Sequence, residues 1–288
     1  MIKVATDWKD YQIIATGNGQ KLEKWGNLVL LRPDPQIIWK SDVPLESNKA
    51  INAKYIRSNQ GGGRWEYKGN VPDNFTVERK GLKFSLKLMG FKHTGLFPEQ
   101  AVNWDIMQKL IKDSGRQIKV LNLFAYTGGA TVACAKAGAH VTHVDSAKAM
   151  VDRAKTNATL SGIPSDRIRY IVDDCNKFIA REIRRGNKYD AIIMDPPSYG
   201  RGAGGEVWKL EDCIFDLVKE CAKTLSDKPQ FFLINSYTTG LQPQVIDNLL
   251  RICLKDFGGK SQAYEVGLPS QDGVILPCGC SGLWKSKS

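Results

Sequence analysis

The sequence predicts an α/β fold, a mostly parallel seven-stranded sheet with an antiparallel last strand, preceded by a small β-rich domain. Three observations carry this expectation. From about residue 101 apolar strands and amphipathic helices alternate to the end of the chain; the last two strands follow each other with no helix between; residues 11–90 instead show short period-2 runs broken by Gly, Asn and Pro. Strand–helix alternation demands right-handed crossovers, hence a parallel sheet covered on both faces, the Rossmann-like arrangement. A helix-free connection at the end makes a hairpin, which turns the last strand antiparallel.

The elements follow in order. In the N-terminal part, NLVLLRP (27–33), QIIW (36–39), GRWEYKG (63–69) and FTVERKGLKFSLKL (75–88) read as strands, with turns at Asn18-Gly19, Gly61-Gly62-Gly63 and Gly81. Asn59 to Gly63 reads as the most flexible loop. Next, 101–114 places apolar residues on one helical face, and strand 119–124, helix 129–138, strand 140–145 and helix 146–162 succeed it. Strand 168–174, helix 176–186, strand 189–195, helix 206–225, strand 230–236, helix 242–258 and strands 261–267 and 274–278 complete the run. Two domains are expected, 1–95 and 96–288.

Bulk properties narrow the function. The 288 residues carry 41 Lys and Arg against 30 Asp and Glu, a formal charge of +11. Residues 1–100 hold +6 of this, so that part is about twice as basic per residue, which suits a polyanionic partner as well as an ordinary solvated surface. No apolar run is long enough for a membrane span and the first residues lack a signal peptide's apolar core, so a cytoplasmic protein is expected. Seven cysteines without framework spacing, and three histidines not spaced as ligands, point to reduced thiols and no metal.

Four loops at successive strand ends carry the chemistry, since ligands of an open α/β sheet bind beyond the carboxyl ends of its strands. The first, 124–131, holds Phe124, Tyr126, Thr127 and the pair Gly128-Gly129, where the missing Cβ atoms admit a close ligand. Asp145, with Ser146 behind it, stands where a carboxylate accepts from two ribose hydroxyls; a helix cap is the plainer alternative. Asp173-Asp174-Cys175 ends the third strand, where a carboxylate accepts from an adenine amino group. Asp195-Pro196-Pro197-Ser198-Tyr199 ends the fourth. The chain has neither the dinucleotide G-x-G-x-x-G nor a P-loop lysine, so the site suits a nucleoside without pyrophosphate, namely S-adenosyl-L-methionine.

Together L-N-L-F-A-Y-T-G-G (121–129), V-D-S-A-K-A-M (144–150), D-D-C-N-K-F (173–178) and M-D-P-P-S-Y (194–199) resemble the class I S-adenosylmethionine-dependent methyltransferases. Within these, the chain is similar to the bacterial large-subunit ribosomal RNA methyltransferases I and K over roughly residues 75–280. The resemblance extends upstream into KGLKFSLKLMGFKHTGLFPEQAVNW (80–104), where Phe97 and Gln100 would line the methionyl end of the cofactor. It implies RNA as substrate. Asn122 departs from it, standing where the class often has an acidic residue. So does the fifth strand: cytosine-C5 relatives carry a nucleophilic Cys in C-S-G-L there, whereas this chain has Tyr237. Its own C-S-G-L, Cys280 to Leu283, lies on the last strand.

That departure favours a base nitrogen as acceptor. Carbon-5 of cytosine needs a thiolate at carbon-6 first, whereas a ring nitrogen attacks directly once aligned. The expected catalytic group is Asp195, Pro196 and Pro197, with Ser198, Tyr199, Arg201 and Tyr237 as substrate contacts and 201–205 as a flap. The rivals are cytosine-C5 methylation through Cys280 or Cys278, a protein or small-molecule methyltransferase, and an RNA chaperone that binds the cofactor without turnover. Arg181, Arg184, Arg185 and Lys188 share one helical face, a solvated surface or a phosphate track.

Overall fold

The structure, a computed structural model, describes residues 1–58, 62–90, 92–201, 207–238 and 240–287, the side chain of Arg201 excepted. The N-terminal elements are β1 (Ile2–Val4), β2 (Tyr11–Gly17), β3 (Gln20–Trp25), β4 (Leu28–Pro33), β5 (Ala53–Arg57), β6 (Gly63–Tyr67), β7 (Phe75–Arg79) and β8 (Leu82–Leu86). Then come α1 (Ala101–Asp113), β9 (Lys119–Leu123), α2 (Gly129–Lys136), β10 (His140–Asp145), α3 (Lys148–Leu160), β11 (Ile168–Val172), α4 (Cys175–Arg184) and β12 (Ala191–Met194). The chain closes with β13 (Tyr199–Arg201), β14 (Val207–Lys209), α5 (Leu210–Ala222), β15 (Phe231–Ser236), α6 (Pro243–Cys253), β16 (Lys260–Pro269) and β17 (Ile275–Lys285).

The chain forms two compact units, one of residues 1–3, 103–266 and 279–288, the other of 4–102 and 267–278. Where the sequence leads one to expect a single boundary at 95/96, the chain crosses between these units four times, at 3/4, 102/103, 266/267 and 278/279. The segment 267–278 joins the N-terminal unit because it is stitched to β2. Gln271 N donates to Ile13 O at 3.0 Å, and Asp272 Oδ2 accepts from Thr16 N at 2.6 Å and Thr16 Oγ1 at 2.8 Å.

In the N-terminal unit a five-stranded sheet runs β2-β3-β4-β5-β6, antiparallel except between β4 and β5. Its first turn is Asn18-Gly19 at φ 54° and 74°, and the β7–β8 hairpin turns on Lys80-Gly81 at φ 49° and 79°. Two successive left-handed residues match the twist of paired strands, which is why Asn-Gly and Lys-Gly sit there. Residues 36–39 are not a strand: Asp34 O accepts from Ile37 N, and the turn buries Ile37 while leaving Ile38 89% exposed.

The larger unit carries the sheet order β1-β16-β17-β15-β12-β9-β10-β11. The expected seven strands are there, with the last, β17, antiparallel to β15; β1 adds an eighth at the edge. Central strands are buried on both faces, as in Val120 to Leu123, so they read as continuous apolar runs. One face packs Leu121, Leu123, Met194 and Ile234 under Phe178 of α4, Leu217 of α5 and Leu250 of α6. α5 begins at Leu210, not 206, because Val207–Lys209 pairs with Tyr199–Arg201 as a short hairpin. Among the described residues no helix is long and apolar enough to cross a membrane.

Candidate functional site

Strand order reverses between β9 and β12: β10 and β11 lie on one side of β9, β12 and β15 on the other. The crevice beyond these carboxyl ends is the expected ligand position. Register makes the neighbours explicit. Met194 pairs with Leu123 and with Ile234, so Phe124 and Asp195 follow the ends of β9 and β12, level with Asn235, the second-last residue of β15.

The loop after β9 is tightly determined. Phe124, Tyr126 and Gly128 alternate in the left-handed region at φ 52°, 50° and 83°. Left-handed Phe and Tyr are uncommon and costly, and such strain concentrates at ligand sites. Asp145 at the end of β10 holds the loop: Oδ2 accepts from Tyr126 N at 2.8 Å and Oδ1 from Ala147 N at 2.9 Å. Asn157 Nδ2 donates to Thr127 O at 2.8 Å from α3, and Phe124 N donates to Cys175 Sγ at 3.4 Å. Ser146 is exposed and does not cap α3, whose N-cap is Ala147.

The two glycines serve packing rather than an open cradle. A Cβ on Gly128 would sit 2.8 Å from Ala154 Cβ, and one on Gly129 2.8 Å from Trp104 Cζ2. The expectation that their missing side chains admit a ligand is thus corrected: they admit α3 and α1.

Asn122 faces inward, its Nδ2 donating to Thr131 Oγ1 at 2.9 Å, which also contacts His143 Nδ1 at 2.9 Å. His143 is fully buried, and burial pulls its imidazole down to about 3 from the usual 6.5. The folded value lies below the unfolded one, so the unfolded state takes up the proton first. Stability from this group is full above pH 6.5 and is lost as pH falls toward 3. His93 in the other unit acts in the same direction, held down to about 4 chiefly by burial. Urea unfolding should therefore show a stability loss below pH 6.5 to which His143 adds a slope of up to about 1.4 kcal/mol per pH unit. His143→Asn should flatten that slope; an unchanged slope would contradict the burial account.

At the end of β11, Asp174 is the N-cap of α4, with Oδ1 accepting from Lys177 N at 2.9 Å. Asp173 pairs with Arg181. Cys175 is buried, which pushes its thiol up to about 12. The basic face of α4 is largely engaged: Arg181 with Asp173, Arg185 with Glu182 at 3.6 Å, and Lys188 Nζ with Lys223 O at 2.8 Å. Arg184 remains exposed.

The loop after β12 is stitched on its outer side. Pro197 O accepts from Trp208 Nε1 at 2.6 Å, Ser198 O from Leu210 N at 3.0 Å, and Ser198 Oγ from Thr238 Oγ1 at 2.6 Å. Pro197 belongs to the expected catalytic group, but its carbonyl is taken by Trp208. That tryptophan also lies over Phe124, ring centroids 5.7 Å apart. The sequence does not single it out, because VWK runs on into the pattern of a helix; an aromatic after a glycine-rich run is the available signal. Tyr199 is 54% exposed on β13. The flap residues 202–205 and the Arg201 side chain lie outside the described ones, as do Asn59 to Gly61.

Tyr237 follows β15 and lies against Gly279, where an added Cβ would meet its Cδ1 at 2.9 Å. Cys280 stands opposite Ser236 on β17, but its side chain belongs to the core with Ile246 and Leu250. Its Sγ donates to Leu241 O at 3.4 Å, and burial pushes the thiol up to about 11. Cys278, in the other unit, is likewise raised by burial. On the opposite face of β15, Asn103 Nδ2 donates to Asn235 Oδ1 and Ser281 Oγ, both at 2.9 Å, and Asn103 Oδ1 accepts from Tyr264 OH at 2.7 Å. This buried network fixes the strand end beside Asp195. Phe97 and Gln100 fall in the N-terminal unit, at the turn before α1.

This sheet order, with a carboxylate at the end of β10 and D-P-P at the end of β12, fits a nucleoside-dependent transferase. The family model for S-adenosylmethionine-dependent methyltransferases matches residues 58–209, and the chain belongs to that family. Ribosomal RNA large subunit methyltransferase K of Neisseria meningitidis is 26% identical over 259 residues, covering 85% of this chain and 70% of that protein. Methyltransferase K/L of Shewanella frigidimarina is 33% identical over 162 residues, 56% of this chain but only 22% of its own length. A crystal structure of a SAM-dependent methyltransferase from Agrobacterium tumefaciens superposes with a TM-score of 0.93 at 34% identity, covering 100% of this chain and 94% of that one. The cofactor is S-adenosyl-L-methionine. The site's chemistry fits it: a half-buried Asp145 fixed by two backbone amides, an aromatic Phe124–Trp208 pair and strained backbone at the strand end.

Proposed function

We propose that this chain methylates a base nitrogen of ribosomal RNA by direct transfer. The observation that carries the choice of nitrogen is the absence of an activated thiol among the described residues at the end of β15. Tyr237 takes that place, and the thiol of Cys280 is buried, raised and turned into the core. The ribosomal RNA substrate is supported by the relatives' activities and by the basic N-terminal part.

When bound, the cofactor supplies an electrophilic sulfonium methyl. Asp145 accepts from the ribose hydroxyls with the lone pairs left after Tyr126 N and Ala147 N. Phe124, with Trp208 behind it, flanks the adenine. Asp195 accepts a hydrogen bond from an N–H of the target base and holds its lone pair in line with the methyl. The proline ring of Pro196, buried behind it, fixes the backbone so that this geometry costs no reordering. Tyr199, exposed at the crevice rim, stacks on a base drawn out of its helix.

RNA containing 5-fluorocytosine distinguishes this from the cytosine route, because it traps an adduct only when a thiolate attacks carbon-6. No covalent protein–RNA species should form, and Cys280→Ser should retain turnover within about twofold. An adduct that vanishes in Cys280→Ser would replace the nitrogen reading with cytosine-C5 methylation.

A further inference from the structure

The N-terminal unit holds a pocket of about 280 Å³ walled by Pro33, Pro35 and Tyr55, with Arg57, Lys92 and His93 at its polar side. A buried ion pair builds it. Glu23 is fully buried, and the Arg32 guanidinium grips it twice, Nε to Oε2 at 2.6 Å and Nη2 to Oε1 at 2.8 Å. Tyr11 OH donates to the same carboxylate at 2.7 Å. The third arm of Arg32, Nη1, donates to Lys92 O at 2.8 Å and anchors Lys92, which sits in the left-handed region at φ 55°. Lys92 Nζ then reaches back to Pro33 O at 3.3 Å.

The charges at the pocket are not balanced from within. Glu23 is committed to Arg32, and Asp34 pairs with Lys21 at 3.1 Å. Among the described residues neither Arg57 nor Lys92 has a carboxylate within ion-pair distance. Burial presses the Lys92 ammonium below its ordinary value; the Asp34 carboxylate opposes this only in part, and Lys21, Arg32 and Arg57 reinforce it. A half-buried cation held without an anion is a costly arrangement that a bound anion relieves. Arg57 also lines the adjoining cleft of about 330 Å³ together with Arg64. Arg57 therefore borders both clefts, and its guanidinium is open to an anion from either side. The apolar proline and tyrosine walls give a base a surface to lie on.

We infer that this pocket takes a nucleotide of single-stranded RNA, its phosphate on Arg57 and Lys92 and its base against Pro33, Pro35 and His93. The inference rests on the RNA reading above and adds a second point of contact away from the reacting base. His93 is neutral near pH 7, so its ring both donates and accepts toward a base edge.

The test uses the full-length protein and a labelled single-stranded oligoribonucleotide, titrated over a range of salt. Arg57→Gln and Lys92→Gln should each weaken binding about fivefold or more. Together they should lower the slope of log affinity against log salt by about 0.7 for each phosphate no longer neutralised. S-adenosylhomocysteine affinity, measured on the same preparations, should stay at the wild-type value and shows that the variants fold. Wild-type affinity and slope in the double variant would overturn the pocket while leaving the RNA reading standing. Failure of the wild-type protein to bind the oligonucleotide at low salt would overturn both. Binding of polyglutamate as tight as RNA at equal salt would assign the pocket to an acidic protein instead.

Discussion

Asp195→Asn is expected to lower turnover by about three orders of magnitude while leaving S-adenosylhomocysteine affinity within about twofold of wild type. The substitution keeps the size of the side chain and removes its charge and basicity. Asp195 follows directly on β12, whose register with β9 and β15 is set by fully buried strands, so the backbone cannot shift to compensate. An amide presents a donor as well as an acceptor, and its uncharged oxygen holds the N–H of the base less firmly in line. The groups proposed to hold the cofactor, Phe124 after β9 and Asp145 at the end of β10, are untouched. Single-turnover rates and calorimetry on the same preparation separate the two effects. A turnover loss below about tenfold would remove Asp195 from the reacting centre.

Asp145→Ala is expected to weaken cofactor binding about 30- to 300-fold, roughly 2–3.5 kcal/mol. Two losses add. The ribose hydroxyls lose their acceptor in a half-buried site. The amides of Tyr126 and Ala147 lose theirs too, and the left-handed Tyr126 is no longer held. The second loss separates this variant from a simple deletion of one hydrogen bond: the loop itself relaxes. Asp145→Asn, which keeps an acceptor oxygen but not the charge, should fall between. Calorimetry showing wild-type affinity for Asp145→Ala would take the ribose away from β10.

The catalytic sheet is legible in the sequence because its strands are short, apolar on both faces and separated by helices with one apolar stripe. The same logic hides β1, whose three residues carry no period, and β13–β14, where Val207 to Lys209 runs on without a break into the apolar stripe of α5. The strand-end carboxylates are legible as residues, but not what each is bonded to. Asp174 caps α4, because a carboxylate two residues past a strand and one before a helix meets free backbone N–H groups first. Gly128 and Gly129 stand out in the sequence for a reason that the structure revises, since sequence cannot say on which side a missing Cβ would fall. The Asn103–Asn235–Ser281–Tyr264 network is out of reach, for it joins residues far apart in the chain. The return of 267–278 to the N-terminal unit depends on Thr16 meeting Asp272, a pairing that no local pattern encodes.

Nucleoside mass spectrometry of ribosomal RNA tests the central claim most directly, comparing a host strain lacking this protein with strains carrying it or its Asp195→Asn form. The account predicts that one nitrogen-methylated base nucleoside disappears from large-subunit RNA, returns with the wild-type protein and does not return with Asp195→Asn. An unchanged ribosomal RNA profile, or loss of 5-methylcytidine in its place, would contradict it.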